Sequence, residues 1–337
     1  MSDNHNRYVI RKIHAGNTDM KIKLWGVRGS IPTPLNGELI ENKVRRALKL
    51  ATPGDVTSDE AINTFIQTLP FSVKGTYGGN TTAVQVTTDD GDIIMIDCGS
   101  GIINLGKEML KGPFSKGKGV ASVFLTHTHW DHIQGIPFFA PFYFEGNRFN
   151  FYSPFEDLKK RLEYQHSPDH FPISLEYMPA TKEFFRVAED EEFYLNDIRV
   201  FTKRMPHPGG SYGYRIEHNG SVFVYTSDCE FNIDEIDTIN QYKELFHDAD
   251  LALFDTQYTF EESINKLDWG HSSASIAIDI AGGFNIKHLV LFHHDPNYSD
   301  EKLDNVLANA RIYQKMNAKK TGKLKVDIAY EGLEIDI

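Results

Sequence analysis

The run Thr126-His127-Thr128-His129-Trp130-Asp131-His132 limits what this chain can become more than any other stretch. It follows an apolar, β-branched segment ending at Leu125, and four potential metal ligands fall within six positions, His127 to His132. A lone histidine is usually a surface or hydrogen-bonded core residue. Four such ligands on a tight loop at a strand end have another use: His127 and His129 can project toward one ion while Asp131 and His132 turn toward a second. The nitrogen and oxygen donors suit zinc first, with manganese or iron as alternatives.

The rest of the chain has to supply a rigid support for that loop. With 337 residues, 40% of them hydrophobic, it can build a large α/β core without disulfides. Its 2 cysteines, Cys98 and Cys229, lie far apart and fit a reducing compartment, so a cytoplasmic location is expected. Met1 to Met20 reads as a polar tail without the apolar heart of a signal peptide, and no run is long enough for a membrane span. A net charge of −12 argues against a surface built to clamp long nucleic acid.

Apolar runs alternating with helical patterns predict a layered α/β architecture. Strands are expected near Ile22–Val27, Ala83–Thr87, Ile93–Ile96, Val120–Leu125, Ile198–Thr202, Tyr212–Ile216, Ser221–Thr226, Leu251–Phe254, His288–Phe292 and Lys325–Ile328. Helices are expected at Leu39–Leu50, Ile102–Leu110, Phe155–Tyr164, Ile233–Phe246, Ser272–Ala281 and Glu301–Asn317. The reading is a single domain over 21–337 with two added stretches, near 36–76 and 143–180. The second is rich in Phe, Tyr and Pro and reads either as a substrate wall or lid, or as a surface helix with an aromatic underside.

The His-x-His-x-Asp-His run resembles the hallmark of the metallo-β-lactamase superfamily, which implies a four-layer αββα sandwich and two divalent metal ions. Further motifs extend the resemblance. Ile93-Ile94-Met95-Ile96-Asp97 matches the family's strand-end aspartate, which there supports the ligands from outside. Met205-Pro206-His207 before Tyr212-Gly213-Tyr214-Arg215-Ile216 matches the third motif, so His207 is expected to join His127 and His129. Asp228, closing Val224-Tyr225-Thr226-Ser227, takes the place of the bridging carboxylate. The last ligand is expected at His293, with His294 as its competitor.

Departures narrow the branch. Antibiotic-hydrolysing members commonly carry a cysteine where Asp228 stands, and Cys229 is one residue out of phase on a strand. The redox di-iron branch usually has a glutamate where this chain has His129. Asp255, within Asp250–Tyr258, and His271, within Trp269-Gly270-His271-Ser272-Ser273-Ala274, resemble the acid and histidine of ribonuclease Z-like phosphodiesterases. Lys23–Pro34 and Tyr77–Thr82 resemble that branch's opening strands, where Arg28 or Asn80 either meets a phosphate or serves a turn.

The implied activity is hydrolysis of a small phosphodiester, a cyclic nucleotide first. Asp131 and Asp228 would orient the attacking hydroxide, and His271, held by Asp255, would assist the leaving oxygen. The alternatives are a tRNA 3′-end endonuclease, a thioester or acyl hydrolase of the same fold, and a non-catalytic sensor, which the complete ligand set disfavours. The resemblance also carries an expectation of a homodimer.

Overall fold

Alternation of buried side chains along the strands builds the molecule from the inside outward. In the computed structural model, which describes residues 18–231 and 239–337, fourteen strands form two seven-stranded sheets. The first joins β1 (Met20–Gly26), β2 (Ala83–Thr88), β3 (Ile93–Ile96), β4 (Val120–Phe124), β5 (Arg148–Ser153), β6 (Thr181–Arg186) and β14 (Glu334–Asp336) in the order β14-β1-β2-β3-β4-β5-β6. The second joins β7 (Glu192–Leu195), β8 (Ile198–Met205), β9 (Ser211–His218), β10 (Ser221–Thr226), β11 (Leu251–Asp255), β12 (His288–Phe292) and β13 (Lys325–Ile328) in the order β13-β12-β11-β10-β9-β8-β7.

Each strand uses its period of two to face both ways. Ile22, Leu24, Val84, Val86, Ile94, Ile96 and Phe124 of the first sheet meet Tyr214, Ile216, Phe223, Tyr225, Leu253 and Val290 of the second in one central core. The opposite faces, such as Met95 and Val123 on one sheet and Val224, Phe254 and Leu291 on the other, pack under helices in two outer cores. Three apolar layers between four layers of structure make the αββα sandwich.

In each sheet an antiparallel half gives way to a parallel half, at β3–β4 and at β10–β11. The parallel strands carry their following loops to the same end of the sandwich, and the carboxyl ends of β3, β4, β10, β11 and β12 gather there.

Several expectations need correcting. Met20 is fully buried as the first residue of β1, and the amides of Asp19 and Met20 both donate to the Ile337 carbonyl, so these residues belong to the sheet rather than to a tail. Residues 1–17 lie outside the described residues. The stretch near 143–180 is not an addition throughout, because β5 is an interior strand paired with β4 and β6. Its aromatic residues disguised it. The expected helix Phe155–Tyr164 spans Leu158–Gln165 and buries Leu158 and Leu162. The expected helix Ile233–Phe246 lies partly outside the described residues; its remainder is a turn at Asn240–Tyr242 and the short helix Lys243–Phe246. β6, β7 and β14 were not expected, being short or polar edge strands.

The stretch 36–76 folds into helices Gly37–Leu50 and Asp59–Thr68, each started by a side chain that accepts a backbone N–H, from Asn36 and Ser58. Neither helix buries a residue. Lys43 ties the first to the body through the Ser72 and Gly75 carbonyls and Asp300. Among the described residues no helix is long and apolar enough to cross a membrane.

Candidate metal centre

Strand ends place every donor. β4 delivers His127, His129, Asp131 and His132; His207 follows β8; Asp228, Asp255 and His293 end or follow β10, β11 and β12. Asp97, Asp228 and His293 sit at positive φ, 59°, 53° and 63°, each just where a strand stops. A non-glycine residue held there costs roughly 1–3 kcal/mol, a strain the packed surroundings must impose.

The side chains converge into two groups. In the first, His127 Nε2 lies 2.9 Å from His129 Nδ1, which lies 3.1 Å from His207 Nε2. Asp228 Oδ2 stands 3.5 Å from His127 and 3.7 Å from His207. In the second, Asp131 Oδ2 is 3.3 Å from His132 Nε2 and 3.2 Å from His293 Nε2, while Asp228 Oδ1 is 3.0 Å and 3.1 Å from those nitrogens. Asp228 thus gives one oxygen to each group. All of these residues are buried except His129 and His207, which mark the open side.

Outer partners fix which nitrogen of each ring is free. His132 Nδ1 donates to Asp97 at 2.8 Å. Thr126 Oγ1 donates to Asp97, so it accepts from His127 Nδ1 at 3.0 Å. His207 Nδ1 donates to the Gly270 carbonyl at 2.9 Å and His293 Nδ1 to Gln257 Oε1 at 3.1 Å. With those protons committed, four Nε2 lone pairs point into the centre, which is the arrangement that metal-binding imidazoles require. Asp97 also accepts from the Thr126 N–H and the Tyr225 hydroxyl, and Asp131 accepts from the Ser30 N–H at 2.7 Å.

The residues fit divalent cations. His132 Nε2 is buried and makes no hydrogen bond, although carboxylate oxygens surround it. Burial opposes a charge on His132, yet Asp228, Asp131 and Asp97 drive its pKa well above the usual value, a demand for positive charge at that spot. Burial pushes His127, His129 and His207 down, which keeps their lone pairs available. Asp97, Asp131, Asp228 and Asp255 are all buried, and among the described residues none of them pairs with Lys or Arg. Asp255 faces His271, while among the described residues Asp97, Asp131 and Asp228 have no cationic Lys or Arg beside them, and divalent cations would supply that positive charge. Without such compensation, each buried charge would cost several kcal/mol.

At the edge of the centre His271 Nδ1 lies 2.8 Å from Asp255 Oδ2, and its ring stacks on His293 at 5.2 Å. Burial opposes its charge, but Asp255 first, then Asp228 and Asp131, raise its pKa to about 9. Asp255 also accepts from the Cys229 and Gln257 amides, so its lone pairs are spent on positioning.

His294 faces away from the donors. Its Nε2 donates to the Ala329 carbonyl at 2.8 Å, and burial together with Arg28 lowers its pKa to about 3. Arg28 is buried on the carbonyls of Gly78, Asp295 and Tyr298, and Asn80 is tied to Glu331 and Ser100, so neither is free for a phosphate. Cys229 turns into the outer core beneath β10. Both cysteines are buried and free.

The sequence reading missed Thr126, Ser30, Gln257, Tyr225 and Gly270 as outer partners. Some signal was present: Gln257 stands two residues past Asp255, and two glycines mark tight approaches. A Cβ at Gly29 would meet the His293 ring at 2.6 Å, and one at Gly270, whose φ is 88°, would meet His207 Nδ1 at 2.2 Å.

Comparison with known proteins agrees with this frame. A model of the beta-lactamase superfamily domain matches residues 93–294. Ribonuclease Z of Bacillus cereus is 25% identical over 277 residues, covering 68% of this chain and 87% of that protein. Among solved structures, yeast PDE1 superposes with a TM-score of 0.64 at 13% identity, covering 95% of this chain and 100% of the other. Zn(2+)-bound PqqB from Methylobacterium extorquens superposes with a TM-score of 0.57 at 14% identity, covering 94% and 100%. On the domain model matched over residues 93–294, the chain belongs to the beta-lactamase superfamily, with the αββα metallo-β-lactamase frame.

Proposed function

We propose that the protein is a dinuclear-metal phosphodiesterase acting on a small phosphodiester, a cyclic nucleotide first. The observation that carries this reading is Asp228, whose two oxygens belong to two donor groups, with the His271–Asp255 pair close against the second of them, within reach of Asp228 and His293. His127, His129, His207 and Asp228 would hold one cation, and Asp131, His132, His293 and Asp228 the other. Zinc suits the imidazole-rich donors first, manganese or iron next. Two such cations lower the pKa of water and neutralise charge on phosphoryl oxygens.

The chain's own residues supply the rest. Asp131, held by the Ser30 amide, and Asp228 present acceptor oxygens where an attacking water must be oriented. Asp255 raises the pKa of His271, which would let the ring hold a proton and give it to the departing oxygen. Asp255 is a positioning residue, fixing the ring through Nδ1 so that Nε2 carries the transferable proton.

The net charge of −12 supports a small substrate over long RNA. Between Tyr143 and Arg204 the chain runs through β5, the helix Leu158–Gln165, β6, β7 and β8, which leaves little for an RNA-holding arm. The similarity to ribonuclease Z favours the second reading, 3′-end cleavage of precursor tRNA.

Metal-analysed protein and a His129→Ala control should be assayed on bis-p-nitrophenyl phosphate, on 3′,5′- and 2′,3′-cyclic nucleotides and on a precursor tRNA. Metal-dependent cleavage of a cyclic nucleotide, lost in the control, is expected. Cleavage of the precursor alone would replace this reading with the second, and no cleavage by protein holding two metals would move the search to thioesters.

A further inference from the structure

A groove of about 840 Å³ opens between the donor loop and the helix Leu158–Gln165. Its walls include Thr128, Trp130, Lys160, Arg161, Tyr164 and Phe171. Thr128 and Trp130 alternate with His127, His129 and Asp131 along the chain, so one wall of the groove and the metal donors are the same loop.

Trp130 is out of keeping with its neighbours. Asp131 and His132 are buried, whereas the indole between His129 and Asp131 is 83% exposed and, among the described residues, makes no ring contact or side-chain hydrogen bond. Across the groove Tyr164 is also exposed. A large aromatic face left in water on the loop that carries the donors suits a flat ring from a ligand.

Charge indicates the rest of the occupant. In a chain of net charge −12, Lys159-Lys160-Arg161 is a run of cations. Lys159 pairs with Glu163 and Arg161 with Asp157, while Lys160 makes no ion pair among the described residues. Arg161 also donates to Thr128 Oγ1 at 3.3 Å, which braces the helix against the donor loop. An aromatic wall and an unspent cation fit a molecule that is flat at one end and anionic at the other. The volume lies within the range of roughly 300–1,000 Å³ that holds small ligands.

We propose that this groove binds the nucleobase of a small nucleotide substrate, stacked on Trp130. Trp130 is then a specificity residue, and the inference rests on the phosphodiesterase reading above.

Metal-loaded full-length protein and its Trp130→Ala and Trp130→Phe variants are compared on a 3′,5′-cyclic nucleotide and on the base-free ribose cyclic phosphodiester, with bound metal measured for each. Trp130→Ala should lower the preference for the nucleotide in kcat/KM about ten- to a hundredfold, mainly through KM, with Trp130→Phe restoring most of it. An unchanged preference overturns the groove, as does an effect seen on precursor tRNA alone. Calorimetric binding of a nucleoside monophosphate separates the two readings. If the wild type hydrolyses no diester, binding at least about tenfold weaker in Trp130→Ala supports the groove and sinks only the phosphodiesterase reading; equal binding overturns the groove.

Discussion

Strands β3 and β10 carry a histidine–carboxylate cluster at each end, and the two clusters differ in almost everything but composition. At the carboxyl ends lie Asp97, Asp228 and their histidines. At the other ends, in the hairpins before β3 and β10, Asp89 and Asp90 meet His218, with Asp89 2.7 Å and Asp90 3.7 Å from its Nε2. There the carboxylates face solvent, and His218 Nδ1 is buried without a hydrogen bond. In the candidate metal centre the carboxylates are buried and the outward nitrogen of four histidines has a committed acceptor. Ligand types within reach are therefore not enough; the partners behind them decide which lone pairs point inward.

The largest expected contrast is between Asp228, the proposed bridging carboxylate, and its counterpart at the other pole. Asp228→Asn should drop bound metal below two equivalents and cut diester hydrolysis by more than the ten- to hundredfold that outer partners cost. Asp89→Asn should change neither. Metal analysis and steady-state kinetics on both variants check this, and retention of two metals by Asp228→Asn would break the comparison.

A smaller effect separates the proposed proton donor from the proposed ligands. His271→Ala is expected to lower kcat about a hundredfold or more while two metals stay bound. Unaltered turnover would remove His271 from the reaction.

The adjacent histidines sharpen the point within one strand end. His293→Asn should lose metal from the second group, whereas His294→Asn should keep both metals and lose about 1–3 kcal/mol of stability, because the Ala329 carbonyl and the buried cavity lose their partner. Thermal unfolding and metal content together read the difference. His218→Ala, which removes a buried ring paired with Asp89, should cost stability by about 1–3 kcal/mol and leave bound metal unchanged. Loss of a metal equivalent there would show the second cluster to be a site as well.

Much of this was legible in the chain itself. Nearly continuous apolar runs such as Val120–Leu125 and Leu251–Phe254 announce interior strands, because a strand packed on both faces has little polar side. The ligand loop announces itself because its four donors are local. Elsewhere local information failed: Arg148–Ser153 hid an interior strand behind aromatic and polar residues, and Arg28 reads equally as a phosphate contact or a structural residue.

By itself, then, the sequence determined the layered α/β frame and the residue types of the centre, since both follow from periodicity and from donors a few positions apart. Only the tertiary structure decided between His293 and His294, committed Arg28 to backbone carbonyls, and brought Ser30, Gln257 and Gly270 behind the donors. Those choices depend on which strand lies alongside and on a backbone forced to positive φ at a strand end, and neither is encoded in any short stretch of chain.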